Sequence, residues 1–436
     1  MIGRWIMIIR SKSVLGFGAA AIHIRDGRIE RLSHFDDVDG EVTDYGDLTI
    51  MPGIVDSHVH VNEPGRTEWE GFETATRAAA AGGVTTIVDM PLNSIPPTTS
   101  VSALMQKAEA MEGKLRVDVA LWGGAVPGNA SELRDMLAHG AAGFKCFLTD
   151  SGVAEFGHLD SDGLRLALDA LRDTDAPLLV HAELPEHIHD VAGDPSAYSS
   201  YLASRPGVAE NTAIELVSHT AARSGARAHI VHLSSSGGLE TIARARDKRI
   251  ALTAETTPHY LYFDAESIPD GAPQYKCAPP IREHRNREEL WRGIADELIT
   301  AIVSDHSPCT PELKKLSEGN FAQAWGGISS LQFGLPIVWT EARKRGISLE
   351  RISRLMSEGP ARLAGLGHRK GKLAPGYDAD LTVFDPHACF RVEPSMIEHR
   401  HKVTPYAGCE LYGVVNATYV RGQRAGDIVI GQWIRT

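Results

Sequence analysis

From residue 52 onward, short apolar runs alternate with helical stretches eight times over, a rhythm that few folds accept. The strand-like words are GIVDSHV (53–59), VTTIVDM (84–90), VDVALWG (117–123), GFKCFL (143–148), PLLVHAE (177–183), HIVHLS (229–234), IALTAE (250–255) and TAIVSDH (300–306). Between the first two, TEWEGFETATRAAAAGG reads as a helix stopped by Gly82 and Gly83. Eight parallel strands with intervening helices predict an α/β chain whose residues 52–375 form a (β/α)8 TIM-type barrel. Both ends of the chain change rhythm. Residues 4–51 alternate apolar and polar in short runs with turn signals, and strand-like runs return from GKLAPGYDADLTVFD through LYGVVNATYVRGQRA. Residues 1–51 and 376–436 are therefore expected to build one small β-sandwich from the two termini.

Composition removes several functions. The net charge is −12 with no basic run, which argues against nucleic acid as a partner. No apolar stretch approaches the about 18 residues needed to span a membrane. The start, MIGRWIMIIRSKSV, is broken by arginines and lacks a small-residue cleavage site, so it does not read as a signal peptide. Five cysteines (146, 277, 309, 389, 409) are scattered and never spaced C-x-x-C, the pattern of reduced thiols in a cytoplasmic protein.

Functional groups in such barrels gather at the C-terminal ends of the strands. Here those ends carry His58 and His60 on the first strand, Lys145 on the fourth, His181 on the fifth, His232 on the sixth and Asp305 on the eighth. His58 and His60 are two apart, so on a strand both face the barrel interior. One such histidine is usually a hydrogen-bonded structural residue, the role expected of His229, His259 and His306. Five strands ending in metal-competent residues point instead to metal binding. His58, His60 and Asp305 can hold one divalent ion, and His181 and His232 a second. Two cations about 3.5–4 Å apart need an anionic bridge, and an ammonium is the worst group to put there. Lys145 lies in an apolar strand, where burial lowers its pKa and favours the neutral amine. That amine reacts with carbon dioxide to give a carbamate, a carboxylate on a long stem, so Lys145 is expected to be the bridging ligand.

The words PGIVDSHVH, GFKCF, VHAE, HLSSS, TPHY, SDHSPC and GKLAPGYDADLTVFD together resemble the cyclic amidohydrolases of the amidohydrolase superfamily, along essentially the whole chain. That group includes dihydroorotases, dihydropyrimidinases (hydantoinases) and allantoinases. The segment EPGRTEWEGFETATRAAAAGGVTTIVDMPLN, with AWGGISSLQ and EHRHKVTPYAG, is most similar to the allantoinases. Carried over position by position, the resemblance implies the same six ligands, a carboxylated Lys145, two zinc ions (cobalt or manganese being alternatives) and a β-sandwich from the two ends. Dihydroorotases have H-x-H-x-R, whose arginine pairs with the substrate carboxylate; this chain has Asn62 there. Where many relatives have serine or asparagine, it has Ala278, so a substrate contact at that point must come from backbone.

The implied reaction is hydrolysis of the ring amide of allantoin to allantoate. Water activated by the two ions attacks the ring carbonyl, and Asp305 carries the proton to the leaving nitrogen. Asn93 and backbone near Cys277, Ser307 and Gly327 are expected to meet the substrate, with a turn role for Asn93 before SIPP as the alternative. Dihydropyrimidinase is the runner-up activity and dihydroorotase follows it. A non-catalytic scaffold is disfavoured because all six ligands are present. The resemblance also implies a homo-oligomer, a tetramer or a dimer.

Overall fold

The computed structural model describes residues 7–436, so the first six residues of the expected N-terminal half-domain lie outside it. Eight parallel strands form the expected barrel sheet, in simple sequence order: Ile54–Val59, Val84–Asp89, Asp118–Gly124, Ala141–Phe147, Leu178–His181, Ala228–Ile230, Leu252–Thr256 and Ala301–Ile302. Every residue of the first four is buried, as expected of strands covered on both faces. The helix read from the sequence spans Phe72–Ala81, buries Phe72, Ala75, Ala78 and Ala79, and ends at Gly82. Gly83 then turns the chain at φ +83°, a conformation that favours glycine.

Two strands are shorter than their apolar runs. The sixth stops at Ile230 and the eighth at Ile302, because His232 (φ +39°) and Asp305 (φ +45°) take left-handed backbone just beyond. The chain closes the barrel there by other means. His306 bridges Val59 and accepts from the His60 N–H at 2.8 Å, while the buried Asp56 carboxylate accepts from the Ser304 N–H at 3.1 Å. Closure thus falls on the residues that flank His58, His60 and Asp305.

The two termini meet in a single, mostly antiparallel sheet, the small β domain expected from both ends. The joining pair is Thr49–Pro52 with Leu381–Arg391; Met7–Val14, Gly18–Arg25 and Arg28–His34 extend one side, and Glu410–Val420 and Gln423–Arg424 the other. Glu41–Asp44 pairs with the first of these strands. Its core mixes both halves of the chain: Ile9, Ile22 and Ile50 pack with Leu381, Val383 and Tyr419. The last residues return to the barrel, where Val119 N–H donates to Gln432 and Ile434 N–H donates to Val119.

Candidate metal centre

Five of the six expected ligands (His60, Lys145, His181, His232 and Asp305) line a cavity of ≈ 690 Å³ at the C-terminal end of the barrel. His58 lies just beneath, fully buried. One nitrogen each from His58 and His60 and an oxygen of Asp305 fall within 4.8 Å of one another. His58 Nε2 stands 3.2 Å from Asp305 Oδ1, and His60 Nε2 stands 3.7 Å from it. On the other side His181 Nδ1 and His232 Nε2 face each other at 3.0 Å.

These spacings suit shared ions. Two donors each about 2.0–2.1 Å from a tetrahedral zinc stand about 3.3 Å apart. Among the described residues His58 Nε2 is buried without a hydrogen-bond partner, since its approach to Asp305 is close but misaligned. A buried polar atom left unpaired between other donors is costly unless something binds there. Burial, followed by the charge of Lys145, holds His58 and His60 well below the usual histidine range. His232 is depressed too, by burial and then by His181. All three are therefore neutral imidazoles, the form that binds metal. The donor set fits two divalent ions.

Other groups fix the rings. Glu255 Oε1 accepts from His58 Nδ1 at 2.6 Å, and Glu183 Oε2 accepts from His181 Nε2 at 2.7 Å. Each carboxylate thereby turns the opposite nitrogen toward the site. Burial pushes Glu183 up, but Arg205 and the His181 hydrogen bond outweigh it, and the group is held well below the usual carboxylate range. The Phe147 ring stacks on His181 with centroids 4.6 Å apart. Ser307 Oγ donates to Asp305 Oδ1 at 2.8 Å.

Lys145 is 1 % exposed and, among the described residues, its side chain makes no hydrogen bond or ion pair. Its Nζ lies 5.0 Å from the Phe147 ring centroid. Burial lowers its pKa to about 8 against the pull of Asp305 and Glu255, so neutral amine is accessible near neutral pH.

The expected substrate contacts divide. Asn93 lines the cavity with backbone φ +68°; its Nδ2 donates to Asn62 Oδ1 at 3.1 Å and its buried Oδ1 has no partner among the described residues. Ser307 and Gly327 also line it, and a Cβ at Gly327 would collide with the Ser307 carbonyl. Cys277 does not line the cavity: its carbonyl accepts from Tyr201 Oη at 2.6 Å, and Lys276 and Ala278 on either side line the wall instead. Asn62 is fully buried behind Asn93 and out of the cavity's reach.

Of the histidines read as structural, His229 bonds Thr253 and Glu255, and His306 bonds Glu70. His259 departs from that reading, being fully buried with neither ring nitrogen paired among the described residues. Glu183, Glu255 and Arg205 were not singled out from the sequence. The available signal was small: Glu183 follows His181 by two, and Glu255 ends the seventh apolar run.

The amidohydrolase family profile matches residues 49–425. This chain belongs to the amidohydrolase family. It is 48 % identical to an allantoinase from Streptomyces avermitilis over 426 residues, covering 96 % of this chain and 95 % of that one. An allantoinase from Saccharomyces cerevisiae is 47 % identical over 382 residues, 86 % of this chain and 82 % of that one. Among solved amidohydrolase-like structures, an L-hydantoinase (dihydropyrimidinase) from Arthrobacter aurescens superposes with a TM-score of 0.93 at 31 % identity, covering 99 % of this chain and all of that one. The amidohydrolase assignment makes this chain a hydrolase. Among the described residues no helix is long and apolar enough to cross a membrane.

Proposed function

We propose that this chain is an allantoinase, hydrolysing the ring amide of allantoin to allantoate at two divalent metal ions bridged by a carboxylated Lys145. The observation that carries the reading is the convergence of His58, His60, Lys145, His181, His232 and Asp305 at one cavity, in a chain 48 % identical to a bacterial allantoinase. His58, His60 and Asp305 would hold one ion, His181 and His232 the other. When bound, such ions lower the pKa of water and polarise the amide carbonyl.

The chain's own residues supply the rest. Asp305, held by Ser307 and raised by burial, takes the proton of the attacking water and returns it to the ring nitrogen as the C–N bond breaks. The unpaired Oδ1 of Asn93 accepts an N–H of the substrate. Zinc as the resident metal, with cobalt or manganese as substitutes, and carbon dioxide as the source of the carbamate complete the chemistry. A cytoplasmic location and a homo-oligomer, dimer or tetramer, belong to the same reading; the five free thiols support the first.

A hydrolysis assay over allantoin, hydantoin, dihydrouracil and dihydroorotate with defined metals tests the substrate. Asn62, where dihydroorotases have arginine, cannot reach a substrate carboxylate. An unpaired carboxylate in the cavity costs several kcal/mol, so kcat/KM for allantoin is expected to exceed that for dihydroorotate by at least about a thousandfold. A clear preference for dihydrouracil or hydantoin would move the chain to the hydantoinases, whose solved structures share its shape.

A further inference from the structure

The two halves of the centre are anchored differently. His58 rests on Glu255, which is fully buried and tied inward to His229 at 3.1 Å; His229 in turn bonds Thr253 at 2.7 Å. That support runs inward through buried Glu255 and His229 and ends at the half-buried Thr253, away from the metal cavity. His181 rests on Glu183, whose second partner is Arg205 through Nη2–Oε2 at 2.6 Å and Nε–Oε1 at 3.1 Å. Arg205 lines the cavity itself. Its carbonyl accepts from Arg282 Nη1 at 3.1 Å, and Arg282 Nη2 reaches Glu210 at 3.3 Å. Glu210 accepts from the N–H groups of Ser234 and Ser235 at 2.7 and 2.8 Å, two and three residues past His232. His232 needs that grip, because its backbone is left-handed.

Resting on the two-ion reading above, we propose that Arg205 is a positioning residue for the His181/His232 half of the centre, so that removing its side chain weakens this half's ion and not the other. The Arg205 side chain clamps Glu183 under His181, its carbonyl joins Arg282 and Glu210 under His232, and that side chain lines the cavity, where solvent and substrate can reach it. The His58/His60/Asp305 half rests on other groups, with Ser307 on Asp305 and Asn93 beside His60 also lining the cavity. Without Arg205 the buried Glu183 loses its bidentate clamp, and the His181 ring is free to turn. Arg205→Lys keeps the charge but not the fork, and is expected to fall between wild type and Arg205→Gln.

The test is metal content. Wild type, R205K and R205Q, each checked for folding by circular dichroism, are stripped with chelator, reloaded with zinc and titrated by equilibrium dialysis with elemental analysis. Wild type is expected to bind two ions per chain. R205Q is expected to bind one as tightly as wild type and the second about 10- to 100-fold more weakly, the usual scale for losing a partner of a metal-bound histidine. R205K, the milder change, carries the same test if R205Q does not fold. Two ions at wild-type affinity in R205Q, or equal weakening of both, overturns the proposal alone. Fewer than two ions in wild type overturns the two-ion reading and the proposal with it.

Discussion

Two lysines buried to the same extent sit at opposite ends of the third and fourth barrel strands, in opposite surroundings. Lys370 fills a cage of three carboxylates, 2.5 Å from Asp118, 2.7 Å from Asp380 and 3.0 Å from Asp378. Burial opposes its charge, the three acids outweigh burial, and the ammonium is held above the ordinary lysine range. The Lys145 side chain has no partner at bonding distance among the described residues, and burial lowers its pKa. Asp118, Asp378 and Asp380 have the spacing of a metal site as much as His58, His60 and Asp305 do. The difference is that a protein cation already occupies the acidic cluster, tying the third strand to the C-terminal segment. A cluster of metal-competent groups becomes a candidate centre when its atoms are left unpaired, not when they are merely close.

Substitutions separate the two. Lys145→Ala should fold, lose most of its bound metal and fall below detectable activity, with partial recovery on adding a short carboxylic acid that replaces the bridging carboxylate. Full metal content and activity in that variant, read by elemental analysis and allantoin turnover, would end the bridging role. Asp305→Asn keeps the size of the side chain and removes the base, so kcat should drop about 10²- to 10⁴-fold in metal-replete protein.

Lys370→Met should act on the other axis. It leaves the buried Asp380 without its cation, Asp118 to Arg421 and Asp378 to Arg369, and stability should fall by about 3–5 kcal/mol while kcat per folded molecule is unchanged. Denaturant unfolding beside an activity assay shows whether the two lysines differ in kind; a kcat loss matching that of Lys145→Ala would erase the contrast.

The smallest effect concerns His399, fully buried with neither ring nitrogen paired among the described residues. Burial, helped by the charge of His306, pushes its pKa down to about 3. The unfolded chain takes up this proton near the ordinary value of about 6.5, and the folded chain does not until about pH 3. Its contribution is therefore present above pH about 6.5 and is lost as pH falls toward 3. His399→Leu should make that acid limb shallower by up to about 1.4 kcal/mol per pH unit, as measured by unfolding free energy against pH.

Much of this centre is legible in the chain because a parallel barrel puts strand ends together. His58, Lys145 and His181 come from runs whose apolar character marks them as strands, so their meeting follows from topology. The apolar runs predict His232 and Asp305 as strand ends, whereas both lie in left-handed backbone just past shortened strands. The place was right and the local conformation was not, because apolar runs mark burial rather than ladder hydrogen bonds. Backbone near Cys277 reaches the cavity through Lys276 and Ala278, while the Cys277 carbonyl is taken by Tyr201 Oη, which spacing along the chain does not foretell. The partnerships of Glu183 with Arg205 and of Glu255 with His58 join separate segments, and spacing along the chain carries no trace of them. The small β domain was legible as strand rhythm at both ends, but not the return of the tail to Val119.

The most direct test of the central claim is carbon-13 NMR of metal-loaded protein prepared with labelled bicarbonate. The account predicts one protein-bound carbamate signal in wild type, absent in Lys145→Ala and retained in Lys370→Met. An active, metal-loaded wild type with no such signal, or a signal that survives in Lys145→Ala, would contradict it.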